Sequence, residues 1–503
     1  MEALSPLGYL LAGLAISWLV TRWLRPRHRY PPGPRGLPLV GSVFDVPTKD
    51  GWLVFRDWAR KYDSDIVHVA ALGKHICVLN SAAAAKELFE GRPHIYSDKE
   101  NSVMLEELSG WWRSWVQLPY GARWREHRRR FHQHFRPLAV PQYHNQQTIG
   151  ARRLLALLLD APEGFSRHVR YAAGSVILDV VYAFDARPGD ARIELVEKAV
   201  QTSEKLVHAG VYLVDIFPIL KHVPAWFPGA GFKREAAGYK KLVDAMYHVP
   251  YDQYKAAMRD GTADPCFLGS LLSDVDLAAP KVDEDMYINL AGTTYAAGSD
   301  TTITALNVFV LAMILYPDVQ RAAQAELDRV VGRAWLPEIA DRDALPYVAA
   351  LVQEVLRWHP PLPLTLPHRA TTADTYAGYD IPRDCVVLAN AWAILHDPTT
   401  YPDPHTFDPA RFLHADGTPN AVPLPSAVFG VGRRACPGRY FAADMLFVFV
   451  AHLLAAFAIE RVEGEEVREE FEPYAISPPK PFRARFTPRY GGVEELVRAV
   501  ADV

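Results

Sequence analysis

The chain has 503 residues, of which 50% are hydrophobic, 22% charged and 11% aromatic, a balance that excludes disorder and low-complexity repeats. Lysine and arginine (54) against aspartate and glutamate (58) leave a net charge of −4, so no global basic field recruits nucleic acid. Cys77, Cys266, Cys385 and Cys436 stand far apart with no CxxC pair, which removes support for a zinc ribbon, a dithiol redox motif or a disulfide-built scaffold. Length alone predicts about three domains.

Residues 3–21 carry no charge. As a helix rising about 1.5 Å per residue, they cross roughly 30 Å of hydrocarbon. Arg22, Arg25, Arg27 and Arg29 follow, and Tyr9, Trp18 and Trp23 suit the interfaces. A cleaved signal peptide would begin basic and end on a small-residue cleavage site; here Met1-Glu2 opens the chain and the basic cluster comes after the apolar run. Residues 1–24 are therefore expected to form a single transmembrane anchor, with the body cytosolic by the positive-inside rule. Residues 25–45, with Pro31-Pro32-Gly33-Pro34-Arg35-Gly36-Leu37-Pro38, read as a stiff spacer.

Residues 46–503 show no repeat and no long linker. Short β-prone runs at 66–69 and 76–79 flank a tight turn, and a second strand patch lies near 375–389. Helical patterns cover 82–90, 121–133, 145–160, 190–207, 230–258, 283–315, 317–331, 344–358 and 437–458. The stretch 398–435 is rich in proline and turns, and such a segment inside a compact body is usually functional. The expected fold class is mainly α with a small β region.

Within the 283–315 helix, Ala291-Gly292-Thr293-Thr294-Tyr295-Ala296-Ala297-Gly298-Ser299-Asp300-Thr301-Thr302 breaks the rules of a helix interior. Interior glycine costs about 1 kcal/mol and threonine lowers propensity further. An acid inside such a break points to a site; a packing seam of small residues explains the same composition, and both readings stand on these residues alone. Glu354 and Arg357 sit at i, i+3, where an ion pair is commonly a solvated surface contact.

Phe429-Gly430-Val431-Gly432-Arg433-Arg434-Ala435-Cys436-Pro437-Gly438 runs directly into a helical pattern. A helix N-terminus and nearby arginines are expected to lower the Cys436 pKa and favour thiolate, the form that ligates metal. Gly432 and Gly438 allow tight turns and close approach of the backbone to a flat ligand. Gly430 to Ala435 also fits G-x-G-x-x-A, but Pro437 interrupts the helix that fingerprint needs and Asp444 comes too soon.

Phe429, Gly432, Arg434, Cys436 and Gly438 resemble the Phe-x-x-Gly-x-Arg-x-Cys-x-Gly haem loop of the cytochromes P-450, the haem-thiolate monooxygenases. The resemblance spans nearly the whole chain and implies that family's fold, with one catalytic domain behind an N-terminal anchor in place of three domains. It implies Cys436 as axial ligand to the iron of haem b. Trp124 and Arg128, which match Trp-x-x-x-Arg, would contact the haem propionates together with Arg434 and His368. Ala297-Gly298-x-Asp300-Thr301-Thr302 matches the oxygen-activation motif, so Asp300 and Thr301 would deliver protons. Glu354, Arg357 and Arg411, the last in Pro409-Ala410-Arg411-Phe412, would form a structural triad that pins the cysteine loop.

The activity so implied is insertion of one oxygen atom of O2 into an organic substrate, with electrons from an NADPH–cytochrome P-450 reductase and cytochrome b5 as an alternative donor. The setting is the endoplasmic reticulum membrane. Arg123, Arg125, Arg129 and Arg130 read either as a solvated helix face or as a dock for an acidic electron-transfer partner. Residues 31–41 and 218–229 resemble fungal secondary-metabolism members. By family position the substrate pocket draws on Leu108, Trp111, Trp112, Val211, Phe217, Tyr295, Ala296, Leu364 and Ile476, which suits a hydrophobic small molecule; each fits equally as core. Two other readings keep the haem: an isomerase or dehydratase that does not use O2, against which Asp300-Thr301 argues, and a membrane-tethered haem carrier or sensor. Consumption of NADPH and O2 separates the three.

Overall fold

The computed structural model describes residues 28–206, 212–273 and 283–501. The predicted anchor at 1–24 lies outside the described residues. From residue 28 the chain is laid against a sheet. The His68 amide donates to Pro32 O at 2.9 Å, and the Tyr30 ring stacks on His68 at 5.0 Å between centroids.

That sheet starts where β-branched residues concentrate. After helix α1 (Gly51–Tyr62), β1 (Ile66–Ala71) and β2 (Lys74–Leu79) form a hairpin, with Ala71 paired to Lys74. Leu72 and Gly73 both have positive φ, the twist a two-residue hairpin turn requires. β3 (Asp98–Lys99), β4 (His368–Arg369) and β7 (Val386–Ala389) complete a five-stranded sheet of order β1-β2-β7-β4-β3. β5 (Asp374–Tyr376) and β6 (Tyr379–Ile381) form a separate hairpin.

The rest is helical: α2 (Ala122–Phe135), α3 (His144–Asp160), α4 (Phe165–Tyr182), α5 (Ala191–Leu206), α6 (Gly231–Asp260), α7 (Glu284–Leu315), α8 (Pro317–Val330), α9 (Pro346–Trp358) and α10 (Arg439–Ala456). β8 (Phe457–Arg461) pairs with β9 (Ala484–Pro488), and α11 (Val493–Ala501) ends the described chain. α7 and α10 are long and apolar enough to cross a membrane, yet most of each is buried inside the protein. Such all-round apolarity belongs to a core helix. One hydrophobic cluster draws on residues from Val103 to Val497, so the three-domain estimate from length does not hold for this core.

The predicted helices match the observed ones to within a few residues, with instructive departures. α4 is absent from the expected helices; its β-branched Val176, Ile177, Val180 and Val181 lower helix propensity. All four are buried in the core against which α4 packs, and tertiary burial overrides propensity. The 82–90 pattern is α only to Lys86 and continues as a π-helical turn over Glu87–Gly91. The 437–458 pattern ends at Ala456, where Phe457 enters β8.

Candidate active site

Cys436 is the C-terminal product of two short 3-10 turns, Ser426–Phe429 and Gly432–Arg434. Its amide donates to Phe429 O at 2.6 Å, closing the loop. Gly432 has φ +69°, and a Cβ there would stand 2.5 Å from Phe89 O. Only glycine meets both conditions. Gly438 caps α10 and its N–H reaches the Cys436 sulfur.

Burial pushes the Cys436 thiol up from its ordinary value, against the opposing pull of the Gly438 N–H, Arg128 and Arg439. The helix end and the arginines act in the expected direction, but burial outweighs them, so the lowering expected from sequence does not occur in the protein alone. A coordinated metal cation reverses such a balance, since a ligating thiol is deprotonated outright.

Around this loop the structure gathers basic side chains. Arg434 donates to Ser97 O (2.8 Å) and Leu118 O (2.7 Å) and lies over the Trp124 ring at 4.3 Å. Burial lowers its pKa to about 10. Arg128 donates to Ala435 O at 2.7 Å. His368 donates from Nδ1 to Tyr96 O at 2.7 Å and is held far below the usual histidine range, first by burial and then by Lys99. Among the described residues Arg128, Arg434, His368 and Lys99 form no ion pair. Buried cations without counter-charges are costly. A thiol beside the unpaired Arg128 and Arg434 guanidiniums, with the neutral His368 ring next to them, suits a flat metal-bearing ligand with carboxylate arms, so the residues present fit a haem. Lys99 had no signal in sequence periodicity, and its place emerges only from strand pairing.

A single carboxylate organises the irregular stretch before the cysteine. Glu354 receives Arg357 Nε at 2.7 Å and Arg411 Nε at 3.1 Å, with both Glu354 and Arg357 fully buried. It also accepts the Asp408 amide at 2.8 Å. The two guanidinium groups spend their remaining donors on the carbonyls of Leu395, Pro402, Asp403, Pro404 and Thr406.

On α7, Thr294, Ser299, Thr301 and Thr302 each donate to the carbonyl four residues back, the bond by which such side chains bend helices. Asp300 accepts from Arg170 of α4 at 2.9 Å. Burial raises its carboxyl while Arg170 draws it down. Arg170 escaped the sequence reading because it belongs to the helix that reading missed. Gly292 serves packing, since a Cβ there would meet the Tyr247 ring at 2.2 Å.

The residues assigned to a substrate pocket scatter. Tyr295 is buried and donates to Arg192 O at 3.0 Å; Trp111 donates to Thr202 Oγ1 at 3.1 Å. Trp112 carries Arg113 over its ring. Phe217 is 49% exposed. Leu364 pairs with Asn390 and packs against the sheet with Phe55. Leu108 and Ile476 are partly buried against the main core and Ala296 is buried. Val211 lies outside the described residues. A cavity lined by Val46, Ile76, Leu105, Leu206, Ile216 and Val386 has none of the other eight in its wall.

A cysteine loop backed by unpaired buried cations, on a mainly helical body with a small sheet, defines a protein of the haem-thiolate class. The Cytochrome P-450 family matches residues 31–486. The chain is 41% identical to a cytochrome P-450 monooxygenase of Armillaria gallica, over 93% of each chain. It is 37% identical to one of Rhodocybe pseudopiperita, over 99% of this chain and 97% of that one. It is 38% identical to a tryptamine 4-monooxygenase of Psilocybe cyanescens, over 94% and 95%. This chain belongs to the cytochrome P-450 family and is a monooxygenase.

Proposed function

We propose that this enzyme inserts one oxygen atom of O2 into a hydrophobic small molecule, by hydroxylation or a related oxidation, in fungal secondary metabolism. Its electrons come from an NADPH-dependent reductase. The observation that carries the reading is the Cys436 loop with Arg128, Arg434 and His368 around it, none paired with a carboxylate among the described residues. Haem bound there supplies the oxidising chemistry, with electron density from a thiolate favouring O–O cleavage. Cys436 would ligate the iron, and Trp124, Arg128, His368 and Arg434 would hold the propionates. Glu354, Arg357 and Arg411 keep the loop in place.

Asp300 and Thr301 handle protons. The carboxyl of Asp300, raised by burial, is poised to give up a proton more readily than water and to regain it; Thr301 Oγ1, donating to Ala297 O at 3.0 Å, is free to accept from a water. Residues 1–24 anchor the chain in the endoplasmic reticulum membrane as a single span, 25–45 form a hinge and 46–503 the cytosolic catalytic domain. The hydrogen bond from His68 to Pro32 supports a fixed hinge. A cytosolic face is where a reductase, or cytochrome b5, would dock.

The decisive test is the spectrum of the reduced, carbon-monoxide-bound protein. It should show the red-shifted Soret band of a thiolate haem, and Cys436→His should remove it. A mutant that keeps the band overturns the assignment. Coexpression with a reductase and product analysis on terpenoids, aromatics, fatty acids and tryptamine then defines the substrate. Deleting residues 1–25 should move the protein from membranes toward the soluble fraction.

A further inference from the structure

The turns Val103–Leu108 and Leu213–Ile216 meet at the cavity whose wall includes Leu105 and Ile216. Asp215 joins them, its Oδ1 accepting from the Ser102 hydroxyl at 2.9 Å and from the Met104 amide at 2.9 Å. Asp215 and Ser102 line this cavity together with Lys74 and Glu100. Gln117 and Pro367 line it as well. Gln117 stands between Val116 and Leu118, whose carbonyls receive Arg434, and Pro367 immediately precedes His368. The cavity therefore borders the basic cradle around Cys436.

The charges at this place do not balance. Lys74 is spent on Glu100, 3.0 Å away, and Lys221 on Glu107, 2.7 Å away. Asp215 and Glu106 form no ion pair among the described residues. Arg369, a further cation that bears on Glu106, is committed to Asp98. Glu106 is 9% exposed, and among the described residues its carboxylate accepts from the Ser102 amide alone, at 3.5 Å. Burial raises that carboxyl to about 7 against the pull of the amide, and Glu100, Glu107 and Asp215 push it the same way as burial. Mostly apolar walls thus enclose a surplus of negative charge. A carboxylate ligand is repelled there, and a neutral one leaves Asp215 unanswered. An organic cation buries its apolar body and supplies the missing charge.

We propose that the substrate of this enzyme is an amine, its apolar body seated along Ile76, Leu105 and Leu206 and its protonated nitrogen held by Asp215, with Glu106 adding to the field from behind the wall. The inference rests on the haem-monooxygenase reading and narrows its hydrophobic small molecule to one class. The rival role for Asp215 is structural, a strap between the two turns.

The test is calorimetric titration of the full-length holoprotein with two probes, phenylpropyl-trimethylammonium and its neutral isostere with carbon in place of nitrogen. A quaternary nitrogen cannot ligate iron, so the pair differs in charge alone. The parent should bind the cation about tenfold or more tighter than the isostere. Asp215→Asn keeps the two bonds that strap the turns and removes the charge, and it should narrow the gap to within about threefold. Glu106→Gln should narrow it in the same direction. Leu206→Trp fills the cavity and should weaken both probes. Equal affinities in the parent overturn the proposal, as does a full preference that survives Asp215→Asn, or a cation that binds Leu206→Trp as tightly as the parent. If Asp215→Asn does not load haem, Glu106→Gln decides, and the parent's full preference in that variant overturns the proposal. Calorimetry reads the cavity apart from the iron, so a parent without the thiolate Soret band overturns instead the haem reading on which the proposal stands.

Discussion

Arg170 of α4 donates to Asp300 of α7 across 2.9 Å, and the same guanidinium lies 3.3 Å from Glu197 of α5. The acid in the irregular part of α7 is thus tethered to two other helices. Its protonation is a contest between burial, which raises the carboxyl, and Arg170, which lowers it.

Replacing Arg170 with Met removes the lowering influence, so the Asp300 pKa must rise further. A proton donor with a higher pKa stays protonated to higher pH, so the alkaline limb of the pH–rate profile should move upward. Asp300→Asn should cut turnover about a hundredfold or more with the thiolate Soret band intact. Product formation from pH 5.5 to 9 checks both, and an Asp300→Asn enzyme at parental rate removes Asp300 from proton delivery.

Thr301→Ala deletes a hydroxyl that, among the described residues, bonds to Ala297 O alone. The helix loses little, since threonine is the poorer helix former. Haem should remain, while NADPH oxidation increasingly yields hydrogen peroxide instead of product. Peroxide per NADPH measures this directly, and fully coupled turnover would count against the role.

Glu354→Gln keeps shape but leaves Arg357 and Arg411 buried without a counter-charge. Breaking a buried pair from one side costs about 3–5 kcal/mol. The yield of protein with the thiolate Soret band should collapse, and any that folds should unfold at markedly lower urea. Parental yield and midpoint would show that the triad does not hold the loop.

How much of this was legible depends on whether the signal was local. The Cys436 loop could be read because its motif lies within ten residues and Gly432 is required by its own φ; the contact to Phe89 O that also demands glycine there was not legible. Glu354 and Arg357 are one helical turn apart, and their spacing by itself suits a surface pair as well as the structural triad the resemblance implies; their complete burial comes from residues 395–411 folding over them. Lys99 and His368 are 269 positions apart and become neighbours only through the β3–β4 register. The substrate residues were the least legible, because an aromatic on a helix looks alike in a core and in a cavity wall. Tyr295 shows this, with its hydroxyl committed to Arg192 O.

Two buried histidines set an acid limit. Burial lowers His359 and His452 to about 3, and both are at most 2% exposed. Unfolded, each titrates near 6.5. The fold prefers the neutral form, so the stability they confer is complete above pH 6.5 and is lost as pH falls toward 3. Moving from pH 7 to 5.5 lets the unfolded chain bind protons the fold refuses, which should remove roughly 2–3 kcal/mol for the pair. Urea midpoints at the two pH values report it, and His359→Gln should flatten the dependence. Equal midpoints would show that these rings protonate without unfolding.

The basic cradle also has a timetable. Arg128 donates to Ala435 O, so one half of the pocket wall waits on the ribosome for the other. At roughly 5–20 residues per second, some 300 residues between them take roughly fifteen seconds to a minute to appear. During that interval the α2 and β3 cations face solvent or chaperones with no Cys436 loop to close them in. A ligand that needs both walls of the pocket can therefore be held only after the Cys436 loop has been made.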